Sequence, residues 1–195
     1  MGGEMSITIE ERAMRKISNF WHLSSAFALT LCAMTSFAQD VGFADELKDY
    51  GVAATKYPRP RSSGYGTATP TEIPGAKVLT TKDLISMLAS DTKPIVVAAY
   101  RAEKTVAGGV VMDGAGEDRL LGLDKEKFDN ALSGLTAGDK SKPIVFYCHG
   151  SKCWLSYNAT LHAVDSGYSN VYWYRGGRDA WKAADQKFKM PAGSW

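Results

Sequence analysis

Two cysteines, Cys148 and Cys153, are the residues of this sequence best suited to chemistry, and they bracket one short loop. The stretch runs Ile144-Val145-Phe146-Tyr147-Cys148-His149-Gly150-Ser151-Lys152-Cys153-Trp154. Its apolar lead-in reads as a buried strand, followed by a tight polar loop and the N-terminus of a helix. Cys148 then stands at the carboxyl end of a strand, the edge at which open α/β sheets bind ligands. Amides of residues 149 to 154 can converge on its sulfur, and the first helical turn adds unpaired N–H groups and a positive dipole end. Such a setting favours thiolate over thiol, which makes Cys148 a candidate nucleophile. The bland alternative is a buried, inert cysteine. The candidate active-site loop is therefore His149, Gly150, Ser151, Lys152, Cys153 and Trp154 around Cys148.

Beyond the loop come Ser166-Gly167-Tyr168-Ser169-Asn170-Val171-Tyr172, then Arg175-Gly176-Gly177 and Ala180-Trp181. With Tyr147-Cys148 this order resembles the rhodanese-like domains, in which the cysteine carries a persulfide. The resemblance is dense from Pro143 to Ala184 and thin before it. Cys148 with Cys153-Trp154 and Ser156-Tyr157-Asn158-Ala159 also resembles the periplasmic rhodanese-like proteins called PQQ-dependent catabolism-associated CXXCW motif proteins, although the spacing here is C-x4-C-W. The broader resemblance implies a sulfurtransferase with Cys148 catalytic, a small sulfur-containing anion as donor, a thiol as acceptor and no cofactor. The narrower one implies an alternative: a non-catalytic or thiol/disulfide accessory protein of periplasmic quinoprotein oxidation, with a dehydrogenase or cytochrome as partner.

Phosphatases with a related cradle close it on an arginine six residues after the cysteine, where this chain has Trp154, so phosphatase chemistry is not expected. Where many sulfurtransferases place an arginine one position earlier, this chain has Cys153. That leaves Lys152 and His149 as the cationic or potentially cationic side chains of the loop. Cys153 itself has three readings: packing under the helix, a resolving thiol for Cys148, or its disulfide partner. Bonding requires Cα atoms within about 7 Å, and the low-molecular-weight tyrosine phosphatases, whose cradle has the same spacing, make closure sterically credible. Adjacent Cys148 and His149 fit poorly on one tetrahedral ion, so no metal site is expected even with Cys153 and His162 nearby in sequence. His162, among Ala159, Leu161 and Ala163, reads as a packed structural histidine.

The elements that must position this loop belong to a chain of 195 residues, 45% hydrophobic, with formal net charge +2. That is enough for one core, and the charge argues for neither a nucleic-acid partner nor an anionic surface. Arg15 and Lys16 precede the uncharged run Phe20 to Ala38, whose end Ser36-Phe37-Ala38 fits a signal-peptide cleavage site. We therefore expect residues 1–38 to be a cleaved signal, a periplasmic location, and no stable membrane insertion afterwards; the alternative is an uncleaved anchor, which His22 and several Ser and Thr weaken. Cleavage removes Cys32 and leaves the loop pair in a disulfide-permissive compartment.

Residues 39–75, broken by Pro58, Pro60, Pro70 and Pro74, read as an irregular arm with a short helix at Phe43 to Tyr50. The rhodanese-like domain is expected over 76–195. Its elements are a strand Ala76–Leu79, a capped helix Thr81–Ala89, a strand Ile95–Ala99 and a helix Asp124–Leu135 N-capped by Asp124. A strand Pro143–Tyr147, a helix Cys153–Ser166, a last strand Val171–Tyr174 and a helix Arg178–Lys187 follow. The alternation predicts a single α/β domain, a mostly parallel sheet with helices on both faces. Two motifs usual in the resembled family have eroded, to Ala98-Ala99-Tyr100-Arg101 and Thr105-Val106-Ala107-Gly108-Gly109-Val110. The glycine-rich run Gly108 to Gly116 reads as a flexible loop.

Overall fold

The computed structural model describes residues 42–54 and 59–195; the expected signal segment, with Cys32, lies outside them. The strands are β1 (Lys77–Val78), β2 (Ile95–Ala98), β3 (Thr105–Val106), β4 (Val110–Val111), β5 (Ile144–Tyr147), β6 (Val171–Tyr174) and β7 (Phe188–Lys189). The helices are α1 (Thr81–Ala89), α2 (Leu123–Thr136), α3 (Trp154–Asp165) and α4 (Gly177–Ala183). Five strands form a parallel sheet in the order β1-β6-β5-β2-β4, and β3 and β7 make a separate antiparallel ribbon. This is the expected α/β architecture, with β5 at its centre.

All four residues of β5 are buried, because helices cover both faces of the sheet. Val96, Ala98, Val145, Tyr147 and Tyr174 pack with Leu84 of α1 and Ala180 and Trp181 of α4. The alternate positions Val97, Ile144, Phe146 and Val171 pack with Phe128 and Leu132 of α2 and Ala159 and Ala163 of α3. Register is set by this alternation: Ile95 to Ala98 lie beside Ile144 to Tyr147, which lie beside Val171 to Tyr174. α1 starts with the expected reciprocal cap, Thr80 taking the Asp83 amide and Asp83 taking the Thr80 amide.

Several boundaries differ from expectation. α2 is entered through Gly122, at φ 52°, and Asp124 lies inside its first turn. α3 begins at Trp154, with Cys153 as N-cap. α4 ends at Ala183, and Asp185 at φ 54° turns the chain into β7, which displaces β6 as the last strand. Gly108 to Gly116 is not simply a loop, since it contributes β4 at the sheet edge. Gly109 is needed there because a Cβ would collide with the Val96 carbonyl on β2.

Phe43 to Tyr50 forms turns rather than a helix. Its backbone groups are committed elsewhere: the Phe43 amide donates to the Glu46 carboxyl, and the carbonyls of Glu46 and Lys48 each accept from Arg175 at 2.8 Å.

Candidate active site

The strand-to-loop turn places Cys148 where β5 leaves the sheet, 1% exposed, and Cys153 five residues on at the N-cap of α3, 6% exposed. The two are joined in a disulfide with Cα atoms 6.1 Å apart, within the span such a bridge allows. Between them, His149 and Lys152 are exposed while Gly150 and Ser151 are buried. Trp154 is buried and closes the loop on its helical side. Its amide donates to the Tyr65 carbonyl at 2.9 Å and its indole to the Ala68 carbonyl at 3.1 Å.

Three segments hold the loop. The start of α4 grips its first half, with the Arg178 amide donating to the Cys148 carbonyl at 2.9 Å and the Asp179 amide to the His149 carbonyl at 2.8 Å. Gly177, at φ 53°, is required for that approach, because a Cβ would collide with the Cys148 carbonyl. The arm grips the second half: the Thr69 amide and hydroxyl both donate to the Ser151 carbonyl, at 3.1 and 2.7 Å. The third segment follows β2, where the Tyr100 ring lies 4.4 Å from the His149 ring and edge-on to Tyr147.

The amides of His149, Gly150, Ser151 and Lys152 donate to no group among the described residues. These are the donors that a bound anion or thiolate would use. A cleft of about 260 Å³ opens on this loop, walled by residues 44–46 of the arm and by Gly176 and Asp179.

The eroded wall sequence is rebuilt with tyrosines. Tyr147, the last residue of β5, accepts the Val106 amide at 2.8 Å and so ties β3 to the sheet. Burial raises the pKa of Tyr147 well above the usual phenol range. The Tyr100 hydroxyl is buried, facing Tyr147 and Arg178. Burial raises its pKa too, with the Arg178 guanidinium opposing. Arg101 is exposed, and with Lys104 and Arg178 it lines a separate cleft of about 400 Å³.

Sequence reasoning treated Arg175 only as part of a glycine turn. Its buried guanidinium donates to the carbonyls of Glu46 and Lys48 and to the carbonyl and hydroxyl of Thr69. Glu46, also buried, accepts the amide and hydroxyl of Thr81 at 2.8 and 2.6 Å. Since the Thr81 proton goes to Glu46, the Tyr174 hydroxyl donates to Thr81 Oγ1 at 2.7 Å. The arm is thereby docked on the carboxyl ends of β5 and β6. His162 stands apart from the loop, bonded to the Glu117 carbonyl.

A cysteine at the carboxyl end of the central parallel strand, in a loop gripped by the start of α4, defines a cysteine-centred α/β domain. The chain belongs to the rhodanese-like domain family, which matches residues 72–184.

No curated protein matches it in sequence. Among solved structures, it is similar to a thiosulfate sulfurtransferase from Pseudomonas aeruginosa, at 18% identity and TM-score 0.46, over 61% of this chain and 21% of that one. It is also similar to a polysulfide-sulfur transferase homodimer from Wolinella succinogenes, at 20% identity and TM-score 0.43, over 58% and 78% of the two chains. An anaerobic ergothioneine biosynthesis enzyme from Chlorobium limicola is similar at 16% identity and TM-score 0.44, over 64% and 34%. The chain thus spans about a fifth of the length of the Pseudomonas protein.

Proposed function

We propose that this protein is a periplasmic sulfurtransferase that carries a persulfide on Cys148. The observation that carries the reading is the position of Cys148 at the end of β5, next to four loop amides with no acceptor among the described residues. In the reduced protein, the Cys148 thiolate attacks the outer sulfur of a sulfane donor such as thiosulfate, and sulfite leaves with the bonding electrons. The loop amides then hold the persulfide anion, and a thiol acceptor takes its outer sulfur. With Cys153 in the place of a loop arginine, recognition of the donor rests on those amides and on His149 and Lys152 at the cleft.

The test is mass spectrometry of reduced protein after thiosulfate treatment: one added sulfur is expected on the wild type and none on Cys148→Ser. No added sulfur on either the wild type or Cys153→Ser, or the same sulfur on Cys148→Ser, rejects the reading.

The Cys148–Cys153 disulfide favours a second reading, a thiol/disulfide accessory protein of periplasmic quinoprotein oxidation, in line with the resemblance to the CXXCW proteins. Its dehydrogenase or cytochrome partner would meet the loop through exposed His149 and Lys152. Thiosulfate treatment of the reduced protein separates the two, with a persulfide on Cys148 in the Cys153→Ser variant expected for sulfur transfer and none for the accessory role.

A further inference from the structure

The bond between the two loop cysteines joins Cys153 Sγ to Cys148 Sγ, the atom that would bear a transferred sulfur. The hydrogen bonds that tie the loop to α4 and the arm do not pass through that bond, so the reduced loop is expected to keep Cys153 beside that atom. Access from elsewhere is poor, since Cys148 is 1% exposed. An external thiol must reach a buried sulfur, whereas Cys153 is already bonded to it. Holding the two reactants in one loop replaces a bimolecular encounter by an intramolecular step.

Cys153 is also suited to attack. It is the N-cap of α3, a helix of 12 residues with no carboxylate in its first turn, and its side chain makes no capping hydrogen bond. The positive end of the helix therefore favours the thiolate of Cys153 without competition from a neighbouring acid.

Resting on the persulfide reading above, we infer that Cys153 is a resolving thiol that turns the persulfide of Cys148 into free hydrosulfide, giving the protein a sulfide-releasing activity beside sulfur transfer. The Cys153 thiolate attacks the inner sulfur, Cys148 Sγ. A Cys148–Cys153 bond forms, the bond from Cys148 Sγ to the outer sulfur breaks, and the outer sulfur, held until then as an anion, takes a proton from solvent and departs with the electron pair as hydrosulfide. The product is the disulfide present in the structure. Two cysteine sulfurs have each been oxidised by one electron, and the sulfane sulfur has been reduced by two.

An external dithiol, or two monothiols, reopens the disulfide by exchange and is itself oxidised to a disulfide. Over one cycle with thiosulfate, two thiols and one thiosulfate give one sulfite, one hydrosulfide and one new disulfide. Attack on the outer sulfur instead would move the persulfide to Cys153 and release nothing, but the sulfur that Cys153 meets in this loop is Cys148 Sγ.

The experiment uses reduced full-length mature protein, loaded with thiosulfate and then freed of donor and reductant. Wild type, Cys153→Ser and Cys153→Ala are followed for persulfide, released hydrosulfide and protein disulfide. In wild type we expect one hydrosulfide and one Cys148–Cys153 disulfide for each persulfide lost, with decay on the order of tenfold or more faster than in either variant. Equal decay in wild type and both variants, or hydrosulfide release without disulfide formation, overturns the inference and leaves the sulfurtransferase reading intact. Absence of loading in wild type and in both variants rejects that reading, and the inference with it.

Discussion

A carbonyl oxygen can only accept, so the 2.7 Å contact between His162 Nε2 and the Glu117 carbonyl requires the ring proton on Nε2. The ring is buried, with Phe128 edge-on at 6.0 Å. Burial lowers its pKa from 6.5, partly opposed by the hydrogen bond to Glu117. A base whose folded-state pKa is depressed binds its proton more readily when unfolded. Stability is therefore fully present above the unfolded value of 6.5 and is lost as pH falls through it towards the folded value.

We predict that the denaturant midpoint drops between about pH 7 and about pH 5, and that His162→Gln, whose amide can donate to the same carbonyl, shows a flatter profile. Equal slopes in the two proteins would remove His162 as the cause. Its structural role was legible in the small apolar residues around it. Arg175 was not legible in the same way, because its partners are mostly backbone carbonyls and a hydroxyl, which no pattern of side chains announces.

At the scale of elements, the six-position span from Cys148 to Cys153 is held by more than its disulfide. The Arg178 and Asp179 amides, the Thr69 pair of donors and the Trp154 amide all tie it to neighbouring segments. Closing so short a loop removes little chain entropy from the unfolded state, about 2 kcal/mol. We predict that reduction lowers unfolding free energy by about that amount and leaves the far-ultraviolet circular dichroism unchanged, so the thiol form required for sulfur transfer is folded. A reduced protein that loses its cooperative transition would show that the bridge, not the hydrogen bonds, holds the site.

The strands β2, β5 and β6 and the cap of α1 could be read from the chain because each is a local signal, a continuous apolar run or a Thr-to-Asp spacing. β3, β4 and β7 have two residues each, and exist through pairing with distant partners rather than through any periodicity. The N-cap of α2 was misassigned for a related reason. Asp124 is a good capping residue, but Gly122 can adopt the positive φ at which the chain enters the helix.

For the whole molecule, the arm is part of the wall of the site rather than a tether beside it. Residues 44–46 border the cleft over the loop, Thr69 holds Ser151, and Arg175 at the end of β6 anchors both stretches at once. Burial lowers the Arg175 pKa, yet a guanidinium so basic stays charged, and its charge is met by carbonyl dipoles. Removing it leaves buried acceptors without donors. We predict that Arg175→Ala costs about 3 kcal/mol of stability, and that Arg175→Lys recovers only part, since an ammonium cannot reproduce the planar fork. The arm should then detach before the sheet unfolds, because the sheet's strand pairing and both of its helix-covered faces do not pass through Arg175. Two readouts follow in Arg175→Ala: faster proteolysis between residues 42 and 69, and faster alkylation of Cys148 in reduced protein carrying Cys153→Ser. If Cys148 is alkylated at the same rate with and without Arg175, the arm does not shield the sulfur, and its docking serves stability alone.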